Sequence, residues 1–572
     1  MKRNNFLILK RFNFYILAAA LLLTGCADLM ETDSELVEYE KDNHLDSPSD
    51  SVYSVMGIVY KLQTIADRTV ILGEVRGDLT TVQAAASKDL KDIANFTVDT
   101  ENAYNRISDY YAIINNCNYF LTNVQKDLVR HDRTVFEREY AAVKGFRAWT
   151  YLQLAQIYGE IPLVTEPLLT EDAAQKAMNQ SPVGINEICN YFIDDLKPYV
   201  DTPVPGYGNI DERPSKKFFI PIRALLGDLC LWAGRYEDAA KYYHDYLALR
   251  TNPVTTGTQH AYWTDIDTKE FRLVSDNLSF GGNECLCAIP MEISEFYGIQ
   301  SNLPNIFNST NLNMQYAQVM PTQRLRDLSA ASDYCYVQTK VDGSLDTLYA
   351  PKENLTKKEL IGDLRLGALY TNTVSSQERF GRVSNEYQTI DKYRLSLEEV
   401  NIYRANMVYL RYAEALNRAG YPQSAFTVLK YGLYPDMVAK HVDSLEQVKA
   451  GTLIDFDVTL FTADNTQGVH SRGCGNAECD TLYRLPMPAA GEAATRQDTI
   501  DYQIPLLEDM IINEMALEGA FEGYRYYDLM RVALRRNKPE YLADPISMQN
   551  GKQDDELRAR LMDKKNWYLP RP

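Results

Sequence analysis

Apolar residues recur along this chain with the period of helices. The spacing predicts long helices over 103–129 and 134–158. In the second, Ala142, Phe146, Trp149 and Leu152 fall at steps of 4, 3 and 3 and mark one buried stripe, which Gly159 and Pro162 then end. A later pattern occurs twice. An apolar helix runs from Ile222 to Trp232, the turn Ala233-Gly234-Arg235 follows, and a second helix covers 240–249. Val408, Tyr412, Ala415, Leu416 and Ala419 form another helical face, followed by Gly420-Tyr421-Pro422. Ala239 and Ala425 each stand five places after the turn glycine, where two helices crossing closely need a small side chain. This is the mark of tetratricopeptide-like pairs, which cannot bury their own apolar faces and must stack. The segment 509–536 also reads as helix, with Gly519 and Gly523 as a close-packing stripe inside it.

Between the helical stretches the pattern changes. Residues 251–400 carry Gly281-Gly282, Pro290, Pro304, Pro321 and short aromatic runs, and 441–500 are similar. These read as loops with short strands set on a rigid frame, where ligand contacts usually lie. The organisation expected is a leader over 1–25, a tether over 26–50, a helical region over 51–250, a loop-rich inserted subdomain over 251–400 and a second helical region over 401–572.

The leader has Lys2, Arg3, Lys10 and Arg11 ahead of ten apolar residues starting at Phe14, too short a run to span a bilayer. It ends at Leu23-Thr24-Gly25-Cys26, which looks like a bacterial lipobox with Cys26 as the lipidated first mature residue. Cleavage there would remove four positive charges and take the formal charge from −19 to −23. Asp28, Glu31, Asp33, Glu35, Glu38, Glu40, Asp42 and Asp46 follow, a self-repelling run that reads as an extended tether. Such a balance argues against a nucleic-acid partner. The 40 Tyr against 19 Phe and 4 Trp suit either helix packing or a wet, hydroxyl-rich ligand.

Cys117, Cys189 and Cys230 lie in apolar helical contexts and read as buried thiols. Cys285 and Cys287 would share a strand face, and Cys474 and Cys479 could close a small loop. Neither CxxC pairs nor histidines at ligand spacing occur, so no metal and no cofactor is expected. HExxH, GxSxG, GxxxxGK and GxGxxG are likewise absent, so the chain is expected to bind and not to break bonds.

Several stretches, in this order, resemble the SusD/RagB family of outer-membrane lipoproteins. They are Leu72-Gly73-Glu74-Val75-Arg76-Gly77-Asp78, Lys144-Gly145-Phe146-Arg147-Ala148-Trp149, Tyr158-Gly159-Glu160-Ile161-Pro162, Tyr409-Leu410-Arg411-Tyr412-Ala413-Glu414-Ala415, Phe521-Glu522-Gly523-Tyr524-Arg525 and the terminal Trp567-Tyr568-Leu569-Pro570-Arg571-Pro572. Met515 after Glu514, where the family often has Arg, and Arg571, where it has Ile, depart from the pattern. The resemblance implies a mainly α, tetratricopeptide-like scaffold with an irregular, loop-rich ligand-binding subdomain. It implies a surface lipoprotein, held to the outer membrane by its lipid, that passes glycan oligomers to a SusC-like TonB-dependent transporter barrel. Oligopeptide binding is the alternative within the same architecture; a surface glycoside hydrolase and a protein-contact scaffold are the alternatives outside it. Placed by region, the expected ligand contacts are Arg76 and Asp78 in the early loop, Tyr297, and Arg365 and Tyr393 in the insertion.

Overall fold

The computed structural model describes residues 48–571 except 250–260, 266–269, 274–283, 293–297, 309–316, 333–334, 350–361, 364, 366–369, 375–385, 394–397, 464–465, 476, 478–479 and 550. The leader, Cys26, the acidic tether, Tyr297 and Cys479 lie outside the described residues.

The scaffold begins with α1 (Pro48–Glu74), α2 (Ile107–Asn123) and α3 (Glu137–Tyr158). Next come α4 (Ile185–Leu196) and the pair α5 (Ile222–Trp232) and α6 (Tyr236–Ala248). Each packs on the next, and α6 in turn packs on α7 (Ala405–Arg418), which pairs with α8 (Pro422–Lys430). The two pairs seen in the sequence therefore stack directly on each other, which buries the face that neither could cover alone. Their turns close in the same way. Arg235 N–H donates to Cys230 O and Tyr421 N–H to Leu416 O, both at 2.9 Å or less. Gly234 and Gly420 take φ of +74° and +91°, as this helix-ending motif requires. Ala239 and Ala425 are fully buried at the crossings.

The α3 helix departs from a one-sided stripe. It is enclosed on nearly every side from Ala141 to Tyr158, including Lys144, Arg147, Thr150 and Gln156. The charged pair is accommodated because Asp195 of α4 accepts from Arg147 at 3.0 Å and also from Lys144. Cys117, Cys189 and Cys230 are buried free thiols, and so are Cys285 and Cys287.

The segment expected as helix over 509–536 is two helices. The first, with α9 for the short turn Ser471–Cys474 before it, is α10 (Arg496–Glu518); the second is α11 (Arg525–Arg536). Gly519 caps α10, and Phe521 and Gly523 sit at φ of +67° and +91°, so the chain turns sharply between them. The close packing of the glycine stripe is real but belongs to this turn. A Cβ on Gly73 of α1 would lie 1.8 Å from Gly523 O, and one on Gly523 would lie 2.3 Å from Thr69 O. Backbone therefore rests on backbone where α1 meets the turn.

The inserted region meets the scaffold through short antiparallel ladders; each sheet among the described residues has two strands. Strand β1 (Cys285–Pro290), wholly buried, pairs with β2 (Glu399–Arg404), which runs straight into α7. Residues Thr80–Val82 pair with Val319–Pro321. The tail closes the unit: Trp567 is fully buried, and Leu569 N–H donates to Ile157 O at 2.9 Å.

Candidate functional site

Four of the five residues chosen from the sequence are described, and all four are buried. Arg76 donates to Leu72 O at 2.8 Å, to Trp567 O at 3.1 Å and to the Tyr527 hydroxyl at 3.0 Å, with its guanidinium 4.1 Å from the Tyr526 ring centre. Asp78 does not pair with Arg76. It takes a two-pronged bond from Arg525, at 2.5 and 2.8 Å. Burial would raise the Asp78 carboxyl, but Arg525, with Arg324 beyond it, outweighs burial and holds it below its ordinary range. Tyr393 donates to Phe521 O and packs 5.0 Å from the Phe307 ring. Arg365 bonds Asp363, Glu514 and Glu518 at 2.5–3.0 Å. These side chains present no open face to a ligand in this structure. Tyr393 bonds the turn between α10 and α11 and Asp78 holds Arg525 just after it, while Arg76 ties the end of α1 to α11 and to the tail.

Arg365 belongs to a larger buried charge cluster. Arg404 bonds Glu284 at 2.8 Å, Glu518 at 2.6 Å and Glu522 at 3.0 Å. Arg472 bonds Glu284 at 2.5 Å, and Lys392 bonds Glu522 at 2.5 Å. His470 lies between Glu514, 2.9 Å from Nδ1, and Asp480, 3.1 Å from Nε2. Burial would lift the Glu514 carboxyl, yet Arg365 and His470 together hold it down at about 2. A cluster of this kind ties the inserted region to α10. Removing one partner leaves an uncompensated charge, a loss of roughly 3–5 kcal/mol.

An open concavity lies elsewhere, where α3, α5, β2, α7 and the α10–α11 turn meet. Its walls include Trp149, Trp232, Tyr403, Tyr524, Asp228 and Arg411. Asp228 anchors it, accepting from the Tyr243 and Tyr403 hydroxyls at 2.5 and 2.6 Å and from Arg411 at 2.8 Å. Gly227 makes room for this: a Cβ there would lie 2.4 Å from the Tyr243 ring. Arg411 stacks 5.0 Å from the Tyr524 ring centre, and Arg531 sits 5.5 Å from that of Trp232. Among the described residues, only one Arg411 nitrogen has a protein acceptor, so the guanidinium keeps donors for a guest. The cavity measures about 60 Å³. A drug-sized pocket has about 300–1,000 Å³, so the notch holds a few waters or one projecting group and not a whole ring. Its carboxylates, Asp228, Glu522 and Asp528, are all committed to arginines, lysines or tyrosines. Sequence reasoning passed over Trp149, Trp232 and Arg411 because each lies within a helix that reads as core; the one signal was the unusual Arg411 on an otherwise apolar face.

Paired helices stacked in series, with a laddered insertion and a buried C-terminal tail, define the SusD-like class of fold. A SusD superfamily protein from Bacteroides vulgatus superposes with a TM-score of 0.58 over 92% of this chain and 96% of that one, at 14% identity. A SusD-like carbohydrate binding protein from Bacteroides fragilis superposes with a TM-score of 0.54 over 86% and 88%, at 15% identity. No family model matches the chain. Among curated proteins, SusD-like protein P38 of Formosa agariphila is 21% identical over 95% of this chain and 94% of its own length. SusD-like protein P2 of the same organism is 25% identical over 41% of this chain, a match that spans 45% of that relative. The chain thus shares its fold with SusD-like proteins over most of its length and is similar in sequence to two of them.

Proposed function

We propose that this chain binds glycan oligomers at the cell surface and delivers them, unaltered, to a SusC-like TonB-dependent outer-membrane transporter. The observation that carries the reading is the shared fold over most of the chain with a SusD-like carbohydrate binding protein. The lipobox ending at Cys26 and the acidic run after it support an anchored, extended display. Within the described residues, the notch places the part-exposed Trp232 and Tyr524 beside spare Arg411 donors, a combination a sugar can use. Its volume suits one ring substituent, so it serves as an anchoring point beside the loops and not as a full subsite. The notch carboxylates are all engaged, which supports binding without hydrolysis.

Affinity electrophoresis against a polysaccharide panel, with reducing ends assayed in parallel, tests this. Retardation by at least one polymer without new reducing ends is expected. Trp232→Ala should weaken that binding about 5–30-fold, as for loss of 1–2 kcal/mol of aromatic contact. Release of reducing ends would establish hydrolysis instead, and co-purifying peptides with no retardation would shift the reading to oligopeptides.

A further inference from the structure

Among the described residues outside the notch, one group of metal-ligating side chains is assembled from distant parts of the chain. Asp363, His470 and Cys474 are all buried, and their ligand atoms lie within 4.8 Å of one another. His470 and Cys474 are four residues apart across α9, so they share a helical face. Asp363 reaches them from the inserted region, its Oδ2 3.4 Å from Cys474 Sγ. The approach depends on Gly473, where a Cβ would lie 1.8 Å from Asp363 Oδ1. Any other residue there would push the carboxylate out.

We infer that Asp363, His470 and Cys474 form a structural zinc site that locks the inserted region to α9 and α10. Mixed sulfur, nitrogen and oxygen ligands favour zinc among common divalent ions. In a tetrahedral site, neighbouring ligand atoms lie about 3.3–3.8 Å apart, and Asp363 Oδ2 and Cys474 Sγ already stand 3.4 Å apart. Glu514 and Asp480 flank the His470 ring but lie outside the group whose ligand atoms are mutually within 4.8 Å. Each ring nitrogen of His470 faces a carboxylate, Glu514 at 2.9 Å and Asp480 at 3.1 Å. Whichever nitrogen takes the metal, the other N–H keeps a carboxylate acceptor that fixes the ring, and a water would complete the four ligands. Arg365 donates to both oxygens of Asp363, at 3.0 and 2.6 Å, and so fixes the orientation of that carboxylate.

The charge balances. Without metal, both ring nitrogens of His470 face carboxylate acceptors, so the ring is an imidazolium, and Cys474 is a thiol. On binding, one N–H and the S–H bond break, Zn–N and Zn–S bonds form, and two protons leave to solvent. Zinc replaces two protons, and the cluster's total charge is unchanged beside Arg365 and Arg472. The ligands come from segments more than a hundred residues apart, so metal is captured as the chain folds.

The exported chain is purified in zinc-containing buffer, dialysed, and its metal measured by mass spectrometry; it is also refolded with Co²⁺ for its absorption spectrum. The expected result is about one equivalent of zinc per chain and a sulfur-to-cobalt charge-transfer band. Cys474→Ser should abolish the band, and Cys117→Ser, a buried thiol elsewhere, should leave it intact. Wild-type protein with neither zinc nor the band overturns the inference. So does an intact mass that places Cys474 in a disulfide. Because the decisive readings are on wild-type protein, misfolding of a variant cannot mask them.

Discussion

Two glycines on α1 face opposite demands. Gly57 is exposed, and a Cβ there would meet no atom within 4 Å. In a helix interior, glycine loses more freedom on folding than alanine, so Gly57→Ala should stabilise by about 0.5–1 kcal/mol. Gly73 is buried against the Gly523 carbonyl, where the added methyl would meet backbone at 1.8 Å. Backbone cannot rotate away as a side chain can, so Gly73→Ala should destabilise by at least the roughly 1–3 kcal/mol of an overpacked core. Urea midpoints of the two variants should move in opposite directions from the parent; a shift of the same sign for both would mean that α1 does not rest on this turn. The Leu72-Gly73-Glu74 stretch was visible in the sequence, but its purpose was not. Its partner Gly523 lies 449 positions from Glu74, and a single sequence gives no sign of that pairing. Arg76 and Asp78 misled for the same reason. They follow directly on α1 and read as loop residues, yet the α10–α11 turn and the tail bury them.

Where α1 meets the α10–α11 turn, the two share one carboxyl. Glu74 accepts from Gly523 N–H at 2.8 Å, while its other oxygen is buried without a partner. Burial raises its pKa from 4.5 to about 7, with the Gly523 amide and Lys392 opposing. Between about 4.5 and 7 the folded protein thus holds a proton that the unfolded chain has lost. The stability this contributes is fully present below the lower value and disappears as pH rises through the upper one. Glu74→Gln imitates the protonated form at every pH. The stability of the parent relative to this variant should therefore fall from pH 5 to pH 8.5, by on the order of 3 kcal/mol at about 1.4 kcal/mol per unit. Denaturation curves at the two pH values measure it, and an unchanged difference would show that Glu74 is ionised throughout. The helical pairs were legible because their signals are local: a turn glycine, an alanine five places on, and an apolar face. The break between α10 and α11 was not, because apolar periodicity continues through Phe521. Gly519 caps α10, and the chain then turns through positive φ at Phe521 and Gly523, where α1 rests on Gly523. The Asp363–His470–Cys474 group was hidden likewise, since the spacing of its members shows only when the insertion folds back on α9.

At the scale of the described unit, the stacked pairs form an open series that is held at its start by its own tail. Trp567 is fully buried and donates from Nε1 to Leu561 O at 2.7 Å. Its carbonyl takes hydrogen bonds from Arg76, 491 positions earlier, and from Tyr526. Pro570 O accepts from Asn105 at 3.0 Å, and Tyr568 covers Gly159 at the end of α3. An array built from nearest-neighbour contacts frays from its ends unless they are capped, and here the last residues cap the first helices. Trp567→Ala should cost about 3–5 kcal/mol through the cavity it leaves, against less than about 0.5 kcal/mol for Met562→Ala at the exposed surface. Deletion of residues 567–572 should act at a distance. Arg76 loses its Trp567 acceptor and part of its cover, so α1, α2 and the end of α3 should loosen before α7 and α8. Limited proteolysis with fragment mapping distinguishes this from simple fraying: early cuts in the first three helices are expected, and early cuts confined to the new C-terminus would show that the tail is no cap.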